Sequence, residues 1–296
     1  MGIPSSQLEI WSHQGAVRTS SETYHAIRDA LYDTNAAYSD MNFEVYLQGS
    51  YCNDTNIYAE SDVDVVIQLN STFHSNKKLL PQEQYEAHKR DHRPATYRVE
   101  EFRRDVIDVL NHHFGQEFVE DGKKSVKLHT NASRREADVV VCSQYRNYSY
   151  YFGRDLHDEI KGMVISNRGE SVVNYPRLHA QALTRKHQGT NCFFKPLVRI
   201  LKNIKTSMIE AGYIGEKTTA SYYLEGWLYN APSHCFVADY RECFFNVCNW
   251  LLSNDPSQFA MPHGVFPLIG PQNNQWDETS YNAFCDALIQ YDKDWD

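Results

Sequence analysis

Apolar and polar positions alternate with two different periods along the chain. A period near two marks strands. FEVYL (43–47), VDVVIQL (63–69), SVKLHT (125–130) and the apolar run of EADVVVCSQY are rich in β-branched and aromatic residues. Gly, Asn, Asp and Thr fill the gap between the first two runs, so Met41–Leu69 reads as strand, turn, strand. A period near 3.6 marks helices. Leu8, Ile10 and Trp11, then Tyr24, Ile27 and Leu31, predict helix within 5–40, capped at Thr19–Ser21 and packed behind the sheet. Residues 97–114 repeat the pattern through Val99, Phe102, Val106, Val109 and Leu110, and Gly115 stops it. In 193–212, Leu197, Leu201, Ile204 and Met208 form one apolar stripe. Residues 236–252 and the tail, opened by Asp277 or Thr279, add two more helices. Between these lie a polar insertion over 70–96, expected as a loop with a short helix, and a mixed stretch over 143–192. The expected fold class is α+β: a mixed sheet with helices over 1–175 and a mostly helical lobe over 176–296, divided near Pro176.

Two features of Met41–Leu69 carry chemistry. Asp62 and Asp64 stand at i and i+2 at the head of a strand, which points both carboxylates to one face. Like charges that close repel, and a hard divalent cation with oxygen ligands relieves the repulsion. Gly49 and Ser50 supply backbone N–H groups and a hydroxyl that can approach phosphate oxygens. Either motif alone is weak, and a β-hairpin with incidental acids explains each. Gly-Ser, a polar loop, then S-D-V-D running into an apolar strand is a stronger signal. Asp138 opens a later apolar strand as Asp62 does, and an unpaired charge is a costly choice there unless it has a function.

On 193–212, Lys195, Arg199 and Lys202 recur at i, i+4 and i+7 opposite the apolar stripe. A solvated basic face is the ordinary explanation, and a rail for triphosphate oxygens is the functional one. Ser221, Tyr222 and Tyr223 then enter another helix.

Composition narrows the classes. The chain has 296 residues, enough for one large or two modest domains, and a formal net charge of −9, which argues against long-range attraction to duplex nucleic acid. Seven cysteines form no C-x-x-C pair, which points to reduced thiols rather than a disulfide framework or zinc module. His112 and His113 are adjacent on a helix and face different directions, so a shared metal is not expected. No signal peptide or membrane-spanning run is visible, and the expected compartment is the cytoplasm. The start MGIPSS matches a myristoylation pattern too short to weigh.

The Gly-Ser, D-x-D and third-carboxylate order resembles the nucleotidyltransferase superfamily that includes DNA polymerase β. QGSY, TNI, SDVDVVIQL, ADVVV, KPLVRILKNIK and ASYYLEGWLY, in that order, resemble more narrowly the bacterial CD-NTases, relatives of animal cyclic GMP-AMP synthase and oligoadenylate synthase. The resemblance implies a polymerase β-like core over 1–175 and a helical lobe over 176–296 that closes the nucleotide cleft. It implies two Mg²⁺ ions, with Mn²⁺ as a substitute, on Asp62, Asp64 and Asp138. Gln48, Gly49 and Ser50 would contact donor phosphates, Lys202 the triphosphate with Arg199 assisting or bracing, Ser221 the same phosphates, and Tyr222 the donor base. The implied reaction is two-metal phosphoryl transfer joining NTPs into a cyclic di- or trinucleotide that switches on an effector in anti-phage defence. A linear oligonucleotide synthase, an enzyme that adenylylates a small molecule or protein, and an inactive nucleotide-binding interaction module are the competing readings. The chain lacks the zinc insertion by which the animal enzyme binds DNA, so no activation by DNA or RNA is expected. Regulatory partner proteins and a membrane-free life in solution complete the expectation.

Overall fold

A computed structural model describes residues 2–15, 18–58, 62–131, 134–167 and 170–295. Ser61 of the S-D-V-D motif and residues 132–133 between the two later strands lie outside the described residues. The first part of the chain forms α1 (Ser5–Ser12), α2 (Arg18–Leu31), β1 (Phe43–Leu47), α3 (Gly49–Cys52), β2 (Val63–Asn76), α4 (Gln82–Asp91) and α5 (Val99–Phe114). Then come β3 (Val119–Asp121), β4 (Val126–Leu128), β5 (Ala137–Gly153), β6 (Leu156–Asn167) and β7 (Glu170–Asn174). The remainder is α6 (Pro176–Gln188), α7 (Phe194–Glu210), α8 (Ser221–Asn230), α9 (Tyr240–Ser253) and α10 (Glu278–Lys293), with short 3₁₀ turns between some elements.

The chain forms two compact units. The sheet unit takes Arg18–Gln48 and Asp62–Pro176, and the helical unit takes Met1–Val17, Gly49–Ser61 and Arg177–Asp296. One cut at 175/176 therefore misassigns two earlier segments: α1 packs on α7 and α9, and Gly49–Ser61 groups with the helices. The periodic pattern within 5–40 is two helices, and only α2 packs behind the sheet. Thr19–Ser21 lie inside its first turn rather than at its cap.

In the sheet unit, the strands run β1-β2-β5-β4-β3, with β6 and β7 added beside β5. The pairs are antiparallel except β2 with β5, which is parallel. Val63, Val65, Ile67 and Leu69 of β2, with Val139 and Val141 of β5, are buried against Ile27 and Leu31 of α2 and Phe102, Val106 and Leu110 of α5. Val66, Val140, Cys142 and Met163 form a smaller cluster on the opposite face. Gly115, with φ of 89°, ends α5 in a backbone conformation that favours glycine. β2 runs on to Asn76, so the expected loop over 70–96 is largely strand and α4. The stretch 143–192 is likewise the long β5–β6 pair, β7 and α6. Aromatic and polar residues share these strands without strict alternation, which is why the periodicity did not show them.

In the helical unit, α7 is the central element. Leu197, Leu201, Ile204 and Met208 are wholly buried among Leu8, Trp227, Val247, Phe284 and Leu288. Asp277 caps α10 by accepting from the Ser280 N–H. All seven cysteines are free thiols. Among the described residues no helix is long and apolar enough to cross a membrane.

Candidate active site

The sheet unit brings its carboxylates together through register. Parallel pairing of β2 with β5 sets Asp64 opposite Asp138. Their neighbours Val63, Val65 and Val139 face the helices, so alternation turns both aspartates to the other face of the sheet. Asp62 lies one residue ahead of β2, exposed to solvent, while Asp64 and Asp138 are half-buried. The protein mass around Asp62, then the Glu136 and Asp138 carboxylates, raise its pKa above the usual value, with Lys127 and Arg135 partly opposing them. Ser125 Oγ donates to Asp138 Oδ1 at 2.8 Å and fixes that carboxyl. Gln48 donates its backbone N–H to the Asp64 carbonyl at 3.0 Å, and its side-chain Oε1 is buried with no hydrogen-bond partner among the described residues. Ser125 and Lys127 fall on the strand expected at 125–130, but the sequence does not show that β4 pairs with β5 and sets them beside Asp138.

Among the described residues no three His, Cys, Asp or Glu side chains stand grouped as a ready metal cage. The donor set nonetheless fits Mg²⁺. That ion prefers hard oxygen ligands and is usually held by one or two carboxylates with substrate phosphates completing the shell. Here Asp64 and Asp138 oppose one another in register, and the surrounding protein, then the Glu136 and Asp138 charges, raise the pKa of Asp62 two residues before Asp64.

The helical unit carries the remaining candidates. Gly49 has φ of 69°, a conformation that favours glycine, and the Ser50 carbonyl accepts the Thr55 N–H at 2.9 Å. The basic row of α7 is not a solvated face. Lys195 Nζ lies 2.7 Å from Asp54 Oδ2, Arg199 donates to the Ser12 and Asp54 carbonyls, and Lys202 Nζ donates to the Thr55 carbonyl at 3.0 Å. Lys202 has 0 % exposure, so its ammonium sits inside the unit on a backbone oxygen. The next basic residue of the helix is the one that meets Ser221: Lys205 Nζ donates to Ser221 Oγ at 3.0 Å. The i, i+4, i+7 row of Lys195, Arg199 and Lys202 leaves Lys205 out, one turn further along the helix.

Beneath them, Glu225 of α8 is buried at 3 % exposure. It accepts from His179 Nε2 at 2.8 Å, Asn53 Nδ2 at 3.1 Å and the Thr55 hydroxyl. Burial alone would raise its pKa, but the hydrogen bond and charge of His179, then Lys202, hold it below the usual carboxylate range. His179 stacks on Tyr222 with centroids 4.7 Å apart and 24° between planes. One buried carboxylate thus holds both the loop after Gly49-Ser50 and the histidine against Tyr222.

Comparison with known proteins decides the family. The cGAS/DncV-like nucleotidyltransferase C-terminal helical domain matches residues 181–293. Cyclic UMP-AMP synthase of Rhodothermus marinus is 40% identical over 286 residues, 96% of this chain and 96% of that protein. The chain belongs to the CD-NTase family. Cyclic nucleotide synthase CdnE01 of Staphylococcus haemolyticus is 35% identical over the whole of both chains. The solved Rhodothermus marinus CdnE c-UMP-AMP synthase with Apcpp and Upnpp superposes with a TM-score of 0.88 at 39% identity, covering 99% of this chain and 97% of that one. The CdnE cyclic dinucleotide synthase of Elizabethkingia meningoseptica shares the fold, with a TM-score of 0.77 at 23% identity over 98% of each chain. As a CD-NTase the chain is a nucleotidyltransferase, and its activity is cyclic oligonucleotide synthesis.

Proposed function

We propose that this CD-NTase joins one UTP and one ATP into cyclic UMP-AMP, with Asp62, Asp64 and Asp138 holding two Mg²⁺ ions, or Mn²⁺ in their place. The observation that carries the site is the register of Asp64 against Asp138 on adjacent parallel strands, with Asp62 two residues upstream. The base choice is supported by the Rhodothermus marinus relative, which is named a cyclic UMP-AMP synthase and was solved with Apcpp and Upnpp.

When bound, such ions supply positive charge to the attacking and leaving oxygens of an in-line displacement at the α-phosphate. The chain's own groups bind and orient. Ser125 keeps Asp138 in one rotamer. The backbone at Gly49 and the Ser50 hydroxyl meet donor phosphates, and the Gln48 side-chain oxygen accepts a hydrogen bond from a nucleotide donor group. Lys205 and Ser221 take the triphosphate tail, and Tyr222, held flat by His179, stacks on a base. Lys202 and Arg199 brace the loop after Gly49-Ser50, in place of the direct phosphate contact that the sequence suggested for Lys202. NTP supply places the reaction in the cytoplasm. The product acts on a nucleotide-activated effector in anti-phage defence, under control of regulatory partner proteins. Net charge and the missing zinc insertion support synthesis without stimulation by DNA.

The test is incubation of the purified chain with all four NTPs and Mg²⁺ or Mn²⁺, with and without duplex DNA. Nuclease-resistant products are then identified by mass spectrometry. The expected product is a cyclic dinucleotide of U and A at the same rate in both arms. A linear product, or a purine-only ring, would overturn the reading.

A further inference from the structure

The sheet unit carries a polar cavity, about 490 Å³ in volume, whose walls include Arg93, Arg146 and Arg154 with His92, His157 and Phe73. It lies far from the carboxylates. Arg146 stands eight residues beyond Asp138 on β5, which at about 3.3 Å per residue is roughly 26 Å along the strand. Phe73 is displaced from Asp64 in the same direction on the paired strand β2.

The charge of this cavity is positive in a chain whose net charge is −9. The single lining carboxylate, Asp91, is already engaged, since it accepts from the Tyr151 hydroxyl at 2.9 Å. Glu159 nearby faces Lys161 at 3.4 Å, Arg146 at 3.8 Å and His157 at 3.9 Å. Arg146, Arg154 and the two histidines are tied to neighbouring groups, while Arg93 is exposed at the rim. The Arg146 guanidinium lies 3.7 Å over the Phe73 ring, and its Nε donates to Gln144 Oε1 at 2.7 Å. Arg154 is tied to the Asp91 carbonyl through Nη2. His92 Nδ1 lies 2.9 Å from the His88 carbonyl and His157 Nδ1 3.2 Å from the Gly153 carbonyl. A carbonyl only accepts, so Nδ1 carries the hydrogen on each ring, which fixes how each imidazole is turned.

We propose that this cavity is a second anion site, for a small phosphate-bearing molecule of nucleotide size, separate from the carboxylate site. Guanidinium groups are the side chains suited to phosphate, two of the three here are tied in place, and ligand pockets run from roughly 300 to 1,000 Å³. The arginines are scattered along the sequence, and only the β5–β6 hairpin and the end of α4 bring them together.

The test uses the full chain with labelled histidines, in EDTA so that no divalent cation supports the carboxylate site. His92→Gln and His157→Gln assign the two ring signals. ATP and, separately, inorganic phosphate are then titrated. ATP should move both signals saturably, and phosphate should do so more weakly. Arg146→Gln or Arg154→Gln should weaken the apparent affinity about tenfold or more. Arg93→Gln, on an exposed side chain that the fold does not need, should weaken it severalfold and guards against a folding artefact. Signals that stay fixed at millimolar ATP, or arginine variants that bind like the wild type, would overturn the site. A single-stranded RNA that moves the signals at far lower concentration than ATP would overturn the small ligand.

Discussion

The two units handle charge in opposite ways. In the sheet unit, Asp62 is exposed, Asp64 and Asp138 are half-buried and in register, and the surrounding protein, then the charges of Glu136 and Asp138, push the Asp62 pKa up. In the helical unit, Glu225 and Lys202 are buried and bonded, and the carboxyl pKa goes down. A charge left unneutralised beside its like is costly to the fold and ready for a cation. A buried charge with its partners around it fixes geometry, and losing one partner strands the others. Titratable groups therefore divide by environment into those that act on a ligand and those that hold the frame.

The sharpest way to break this contrast is to neutralise the carboxylates. Asp62→Asn with Asp64→Asn should lower cyclic product formation by about a thousandfold or more, since several kcal/mol of charge stabilisation goes with the metals. Thermal stability should hold or rise, because repulsion is removed. Product chromatography and thermal unfolding read the two arms. A double variant that still makes product would refute the metal assignment.

The opposite result is expected at Glu225. Glu225→Ala leaves His179, Asn53 and Lys202 facing a hole, and breaking a buried charged network costs about 3–5 kcal/mol. Urea denaturation should show that loss as a lower midpoint at unchanged slope. Glu225→Gln keeps the shape and should cost less. A Glu225→Ala midpoint within error of the wild type would mean that the network carries no structural weight.

Within α7 the same contrast separates two lysines three residues apart. Lys205→Ala should cut kcat/KM for NTP about tenfold or more, through KM, as expected for a charge-assisted contact of about 1.5–3 kcal/mol. Lys202→Ala should act first on stability, because it abandons the Thr55 carbonyl inside the unit. If Lys202→Ala raises KM while the denaturation midpoint stays put, the assignments are reversed.

That reversal shows what the sequence could and could not display. Strand and helix periodicity and the D-x-D spacing are local, so β1, β2 as far as Leu69 and α5 were legible. The helical stripe of α7 was legible for the same reason. A third carboxylate on a later strand came from the resemblance, and its register against Asp64 only from the fold. Which lysine faces Ser221 depends on how α7 is rotated against α8, and that is decided by tertiary packing. Glu225 reads as one more polar residue on a helix until His179 and the 53–55 loop are folded around it. The split of the first seventeen residues away from α2, and the return of Gly49–Ser61 to the helices, rest on long-range contacts with no local signature.

The smallest effect expected is also the most discriminating, because its sign differs between the units. Asp62 has a folded pKa above its ordinary 3.8, so its contribution to stability is fully present below 3.8 and is lost as pH rises through the folded value. At pH 7 the ionised side chain is therefore a cost, and Asp62→Asn should be slightly more stable than the wild type. On acidification that gap should close, and it should be gone by about pH 3.8. Glu225 has a folded pKa below its ordinary 4.5, so its contribution is present above 4.5 and is lost as pH falls through the folded value. Glu225→Gln should then be less stable than the wild type at pH 7, with the gap closing only below about pH 4.5. Urea midpoints measured from pH 7 down to pH 4 for the three proteins would show one gap closing from above and the other beginning to close from below. Two gaps of the same sign at pH 7 would mean that the sheet carboxylates are as well satisfied as the helical one, and the contrast between the units would fail.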